Sequence, residues 1–181
     1  MKDGSWNLDP LCDGAQPTTF QKAFCSIPMQ NFIEEPYNLE RDDMIVARVS
    51  ALNAVGWSEA SLENIEGQTV ETAPTQAPQP IRIDLDQTNE TQIRILLTEM
   101  VEDSETGSSP ITSYIIQWDA GTSGNQWFSI AGETDPYLET DYIFTQLQKG
   151  TAYNFKYAVR NIYGSSGYSE IVNQIAARHP A

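Results

Sequence analysis

The sequence has one histidine, His179, and two cysteines, Cys12 and Cys25, in 181 residues. A single imidazole excludes a Ser-His-Asp or Cys-His catalytic constellation within one chain. Two thiols and one distant histidine make neither a tetrahedral zinc site nor a C-x-x-C pair. No window of 18 apolar residues occurs, so no helix is expected to span a bilayer. Basic residues are also scarce: 10 Lys and Arg stand against 25 Asp and Glu, a formal net charge of −15. That balance lacks the cationic footprint that nucleic-acid phosphates or an anionic membrane surface require. It suits a strongly solvated surface, with an acidic binding patch as the other reading. There is no Gly-rich phosphate loop and no EF-hand loop. Adjacent carboxylates at Glu34–Glu35, Asp42–Asp43 and Glu102–Asp103 read as solvated turns, with a calcium site as the alternative. The expectation is a protein that is not an enzyme and has no cofactor.

What the sequence does contain is a repeat. The segment Leu39-Glu-Arg-Asp-Asp-Met-Ile-Val-Ala-Arg-Val-Ser-Ala-Leu-Asn53-Ala-Val-Gly56-Trp-Ser58-Glu-Ala-Ser61 recurs 108 residues later. The second copy reads Leu147-Gln-Lys-Gly-Thr-Ala-Tyr-Asn-Phe-Lys-Tyr-Ala-Val-Arg-Asn161-Ile-Tyr-Gly164-Ser-Ser166-Gly-Tyr-Ser169. Leu, Asn, Gly, Ser and Ser align without a gap, and Arg48 faces Lys156. A period of about 100 residues is the size of one β-sandwich module.

A Leu, an alternating strand, an Asn-x-x-Gly turn and a Ser-rich strand together resemble the fibronectin type III module. That resemblance implies an all-β fold of two immunoglobulin-like sandwiches in tandem. The boundary is expected at Val70-Glu-Thr-Ala-Pro74-Thr-Gln-Ala-Pro78-Gln-Pro80, since proline lacks the amide donor a central strand needs. This gives residues 1–74 as an incomplete module and 75–181 as a complete one. In the second, alternation and turn signals predict strand A near Ile81–Leu85, B at Gln92–Thr98, and C at Ile111–Asp119. Strand C′ is predicted at Gln126–Ile130, E near Tyr142–Thr145, F at Ala152–Asn161 and G near Ser169–Ala176. On strand F, Tyr153, Phe155, Tyr157 and Val159 should point inward, and Asn154, Lys156 and Arg160 outward.

Tyr153, six residues after Leu147, resembles the family's tyrosine corner, with a ligand-binding tyrosine as the alternative. The strand B position that is usually Trp in the family is Leu97 here. The first copy spends 33 residues between Trp6 and Leu39, and the second spends 20 between Trp127 and Leu147. The excess of 13 holds both Cys12 and Cys25, which reads as an inserted loop closed by a disulfide. Cys-Asp-Gly…Cys-Ser-Ile-Pro followed by Ile45-Val-Ala-Arg-Val-Ser-Ala also resembles modules of large extracellular arrays of unicellular eukaryotes.

Two cysteines, few lysines and the Asn89-Glu-Thr91 acceptor give the chain a secreted character, extracellular or at the cell surface. Met1–Pro10 lacks the apolar run of a secretory signal. Trp6 has five residues before it, whereas Trp127 comes about 50 residues into its module, so strands A, B and most of C are missing from the first copy. Two remedies are expected: the parent chain continues upstream, or a neighbouring subunit supplies the strands. The function implied is a non-enzymatic structural module of a filament, appendage or matrix, self-associating as a homo-oligomer or fibre. The rival is a receptor or adhesin segment binding a peptide or glycan through Trp57, Tyr163 and Tyr168. The F–G turn, where adhesive modules of the family carry Arg-Gly-Asp, reads Ile162-Tyr-Gly-Ser-Ser-Gly-Tyr168.

Overall fold

The computed structural model describes residues 6–22, 24–75 and 77–178, and His179 lies outside them. The chain divides into two compact units, Met1–Glu71 and Thr72–Ala181.

The second unit is an antiparallel β-sandwich. Its strands are β1 (Arg82–Asp84), β2 (Ile93–Leu96), β3 (Ser113–Trp118), β4 (Phe128–Ala131), β5 (Asp141–Phe144), β6 (Ala152–Asn161), β7 (Gly164–Ser165) and β8 (Val172–Ile175). One sheet runs β1-β2-β5; the other runs β4-β3-β6, with β7 and β8 both on the far edge of β6. Period-2 patterning decides the faces. Ile93, Ile95 and Leu97 enter the core from the first sheet, and Tyr114, Ile116, Phe155, Tyr157 and Val159 from the second. Strand β6 has the predicted limits, and Tyr153, Phe155, Tyr157 and Val159 are all buried. Ala158, on the outward row, is buried as well.

The indole that the family usually places on strand B comes here from the opposite sheet. Trp118 stacks on Tyr153 at 5.5 Å and on Phe144 at 5.1 Å, while Leu97 fills its own position as an aliphatic. Outside the three-stranded sheet, Arg94 ties neighbouring strands together. It reaches Asp84 of β1 at 3.1 Å and Asp141 of β5 at 2.8 Å. Two turns require glycine. Gly107 (φ 74°) and Gly132 (φ 81°) occupy the left-handed region, and a Cβ on them would collide with the carbonyls of Thr72 and Tyr114.

The unit boundary falls three residues before the expected one. Thr72 belongs to the sandwich because its N–H donates to Gly107 O at 2.9 Å, and its carbonyl accepts from Asn161 Nδ2 at 2.7 Å. The prolines therefore lie inside the second unit, not between the two.

The first unit is the one expected as an incomplete module. Among its described residues it has no strand, only the isolated bridges Met44↔Thr69 and Leu52↔Trp57. It also has two short helices, α1 (Pro17–Lys22) and α2 (Met29–Ile33), between Trp6 and Leu39. The physical reason is a missing neighbour. A segment paired on one side only, and partly by side chains, does not build a continuous ladder. Leu39 and Val70 are buried there, but Val49 is 72% exposed. Its counterpart Tyr157 is fully buried in the sandwich.

Candidate functional site

The repeated segment carries a repeated hydrogen-bond network, and this is the feature around which both units are organised. In the second unit Ser166 and Ser169 donate their amides to the carbonyls of Val159 and Tyr157, both at 2.8 Å. Their hydroxyls accept the amides of the same two residues, at 3.0 and 3.2 Å. Each hydroxyl then donates to the carbonyl of the residue after it, Gly167 or Glu170. Serine thus replaces the backbone acceptor that the strand lacks where it leaves regular pairing. Asn161 Oδ1 closes the turn by accepting from Tyr163 N and Gly164 N.

The first unit makes the same bonds 108 positions earlier. Ser58 and Ser61 donate to Ala51 O and Val49 O at 2.8 and 2.9 Å, and accept from Ala51 N and Val49 N at 2.9 and 3.0 Å. Asn53 Oδ1 accepts from Val55 N and Gly56 N. The bridge Leu52↔Trp57 repeats the pair Arg160↔Ser165. An aromatic–cation pair is repeated too. Arg48 lies 3.6 Å from the Trp6 ring centroid, and Lys156 lies 4.1 Å from that of Trp127. The two units therefore share one local design, but only the second is covered by a partner sheet.

The aromatic residues expected to contact a ligand separate into different roles. Trp57 stands 70% exposed in the first unit. Tyr163 is partly exposed near the F–G turn of the second. Tyr168 is 39% exposed and lies outside the strands. Its ring centroid lies 4.4 Å from Lys156 Nζ, which also lies 4.1 Å from that of Trp127. Burial raises the pKa of its phenol.

Tyr153 accepts Gln148 N at 3.0 Å through its hydroxyl, and Leu147 beside it is buried. Tyr153→Phe is expected to cost the sandwich about 1 kcal/mol, one net hydrogen bond, with no change in the second unit's strand pairing. Urea unfolding followed at the Phe155 amide checks it.

Cys12 and Cys25 form a disulfide across a sequence separation of 13, with Cα atoms 5.1 Å apart. Around the bonded loop, Asp9 caps the turn at Pro10–Cys12 by accepting Leu11 N, and its other carboxylate oxygen accepts the Tyr37 hydroxyl at 2.9 Å. Burial, and then this bond to a carboxylate, push the Tyr37 phenol up to about 12. Replacing both cysteines by serine is expected to destabilise the first unit by about 3 kcal/mol, on the chain-entropy argument for a loop this short. Separate unfolding curves for amides of each unit should show the second unit unmoved.

Asn89 is half-buried, and its Oδ1 accepts from Thr91 N, Thr91 Oγ1 and Gln92 N. Its acceptor oxygen is therefore held in an Asx turn.

Sequence reasoning missed Asp119. It is fully buried at the end of β3, with its carboxylate accepting Gly121 N, Gly124 N, Asn154 N and Asn154 Nδ2 at 2.7–3.0 Å. Burial alone would raise its pKa, but these bonds together hold it below the usual carboxylate value. The signal was available as the first residue of Asp119-Ala-Gly-Thr-Ser-Gly124, a turn-forming string.

Among the described residues, no three His, Cys, Asp or Glu side chains are grouped so as to hold a metal ion. No described helix is long and apolar enough to cross a membrane.

The fibronectin type III domain family matches residues 76–175. The chain belongs to that family. The fibronectin type III fold seen here is similar to a crystal structure of consecutive titin domains, at 24% identity and a TM-score of 0.54. That match covers 77% of this chain and 43% of the titin chain, so the chain spans under half of that relative's length. A solution structure of a fourth fibronectin type III domain from a human protein matches at 17% identity and a TM-score of 0.51, covering 65% of this chain and 91% of its own. No curated protein matches the sequence. Fibronectin type III domains are structural or binding modules, generally non-catalytic and commonly extracellular, and the disulfide accords with that setting.

Proposed function

We propose that this chain is a non-enzymatic structural segment of an extracellular assembly, a surface filament, appendage or matrix in which copies associate head-to-tail. The observation that carries the reading is the pair of matching serine–backbone hydrogen-bond networks, one closed into a sandwich and one left open to solvent. Exposed apolar residues such as Val49 on that uncovered segment favour a neighbour that covers them. A net charge of −15 keeps separate surfaces soluble until specific pairing brings them together. The similarity to array modules of unicellular eukaryotes supports the same setting, as does the Asn89 acceptor, which a glycan would occupy in eukaryotic secreted material. Sedimentation velocity across micromolar concentrations, with electron microscopy of the same samples, tests the association. Growth into species beyond the monomer is expected. A monomer at every concentration overturns it.

A second reading has one observation in its favour. Trp57 is 70% exposed at its isolated bridge with Leu52, which suits a receptor or adhesin segment that meets a peptide or glycan there. Quenching of Trp57 fluorescence by such a ligand, in a chain that stays monomeric, would favour it.

A further inference from the structure

The two sheets of the sandwich have four edges, and three carry a device that discourages pairing with another chain. β1 is only three residues long, follows Pro78 and Pro80, and carries Arg82 and Asp84. β5 carries Asp141, and the register of β4 shifts opposite Ile116 and Gln117. The fourth edge, at β8, has none of these. Val172–Ile175 contains no proline and no charge, and it pairs in even register with β6 alone. The family match runs to Ile175, so β8 is the last strand of the module itself.

The open side of β8 follows from its ladder. Ala176 N donates to Thr151 O at 2.9 Å, toward β6. Antiparallel alternation then turns the backbone of Gln174 toward Tyr153, and that of Asn173 and Ile175 outward. Ile175 O accepts Gln174 Nε2 at 2.8 Å, a contact between chain neighbours that a pairing strand would replace.

The flanking residues define what fits this edge. The segment reads Glu170-Ile-Val-Asn-Gln174-Ile-Ala-Ala-Arg178, with one acid and one base at equal spacing on either side of Gln174. Both are exposed, and neither makes an ion pair among the described residues. Two copies laid antiparallel about Gln174 set Glu170 opposite the partner's Arg178 at both ends. The same register sets Asn173 opposite the partner's Ile175, so the outward amides and carbonyls meet one another.

We infer that the β8 edge is an isologous contact between two copies of this chain, a pair of antiparallel β8 strands centred on Gln174 and closed at each end by Glu170 and Arg178. The occupant is a second copy because the edge is complementary to itself. Chains of net charge −15 repel one another over most of their surface, whereas here each acid meets a base. Backbone pairing supplies the attraction, and the flanking charges fix the register. An isologous contact closes on itself, so it joins two head-to-tail rows side by side and does not lengthen either. It is separate from the head-to-tail contact proposed above and stands without it.

The test follows the Asn173 and Ile175 amides of the 181-residue chain by hydrogen exchange as concentration rises, with sedimentation velocity of the same samples. One strand pair is a small interface, so association is expected in the high-micromolar range. There both amides should exchange about threefold more slowly than in dilute solution, with the Phe155 amide unmoved. Glu170→Lys and Arg178→Glu should each abolish the slowing, because each sets like charges together at both ends. Mixing the two variants should restore it, since every end then joins opposite charges. Glu170→Lys also lowers the net negative charge, so a non-specific charge effect would strengthen its association instead. Asn173→Pro, which removes one outward donor, should abolish the slowing at Ile175, while the Phe155 amide reports that the sandwich survives. No slowing at any concentration, slowing that either charge variant keeps, or a mixture that fails to restore it overturns the proposal. Larger species that persist in the single charge variants report the head-to-tail contact, so the two readings can fail separately.

Discussion

Replacing Asn161 with alanine is expected to destabilise the sandwich by about 4 kcal/mol, and replacing Asn53 with alanine to cost the first unit under about 1 kcal/mol. The two residues occupy the same place in the repeat and make the same turn with Oδ1. What differs is Nδ2. Asn161 is 2% exposed, and its amide donates to Thr72 O at 2.7 Å and to Thr106 O at 2.9 Å. Four bonds converge on one buried side chain, tying the entering segment and the β2–β3 connection to the end of β6. Alanine takes the donor from the carbonyls of Thr72 and Thr106 where burial limits the access of water, and each such group costs about 1–3 kcal/mol. Asn53 is exposed, so water takes over the bonds it loses. Asn161→Asp separates the two halves of the effect, because it keeps the acceptor and turns an oxygen toward two carbonyls. It should be nearly as damaging as alanine. Urea unfolding followed at the Phe155 amide, with the Ser58 amide as the report on the first unit, measures all three. Equal costs at the two positions would mean that the turn, and not the convergence, carries the energy.

This contrast shows where the sequence is legible. The limits of β6 and its inward face follow from alternation within ten residues, and the positions of β2 and β3 follow from the same local signal. Aligning the copies set Arg48 against Lys156 and Trp6 against Trp127, but that each cation lies over its ring was legible only in the structure. The partners of Asn161 Nδ2 were not legible. Thr72 and Thr106 lie 89 and 55 residues away, and no period connects them. The helices between Trp6 and Leu39 were missed because five and six residues are too few to show a 3.6-residue stripe. The contact of Tyr168 with Lys156 was not legible either, because it depends on the chain returning along β6 after the turn. Leu97 raised the question of where the core indole had gone, and only the facing of the two sheets answers it with Trp118.

Asp119 should make the sandwich sensitive to acid in a way that one substitution removes. Its carboxylate accepts four hydrogen bonds from Gly121, Gly124 and Asn154, and it lies at the junction of β3, the following turn and β6. Its folded pKa lies below the usual carboxylate value, so the folded state binds its proton less readily than the unfolded state does. The stabilisation is therefore complete above the unfolded pKa, about 4, and is lost as pH falls through the depressed folded value. At pH 7, Asp119→Ala is expected to cost about 4 kcal/mol, since four partly buried N–H donors lose an ionised acceptor. Asp119→Asn should cost somewhat less, because its carbonyl still accepts while its amide opposes the remaining N–H groups. On acidification the wild-type chain loses this contribution and neither variant does, so the difference between them must shrink below pH 4. Other carboxylates titrate in the same range, but they titrate in all three proteins and cancel in the difference. Urea unfolding at pH 7, 5, 4 and 3 decides the matter. A difference that stays constant from pH 7 to 3 would show that the turn is held by its backbone, with Asp119 contributing only shape.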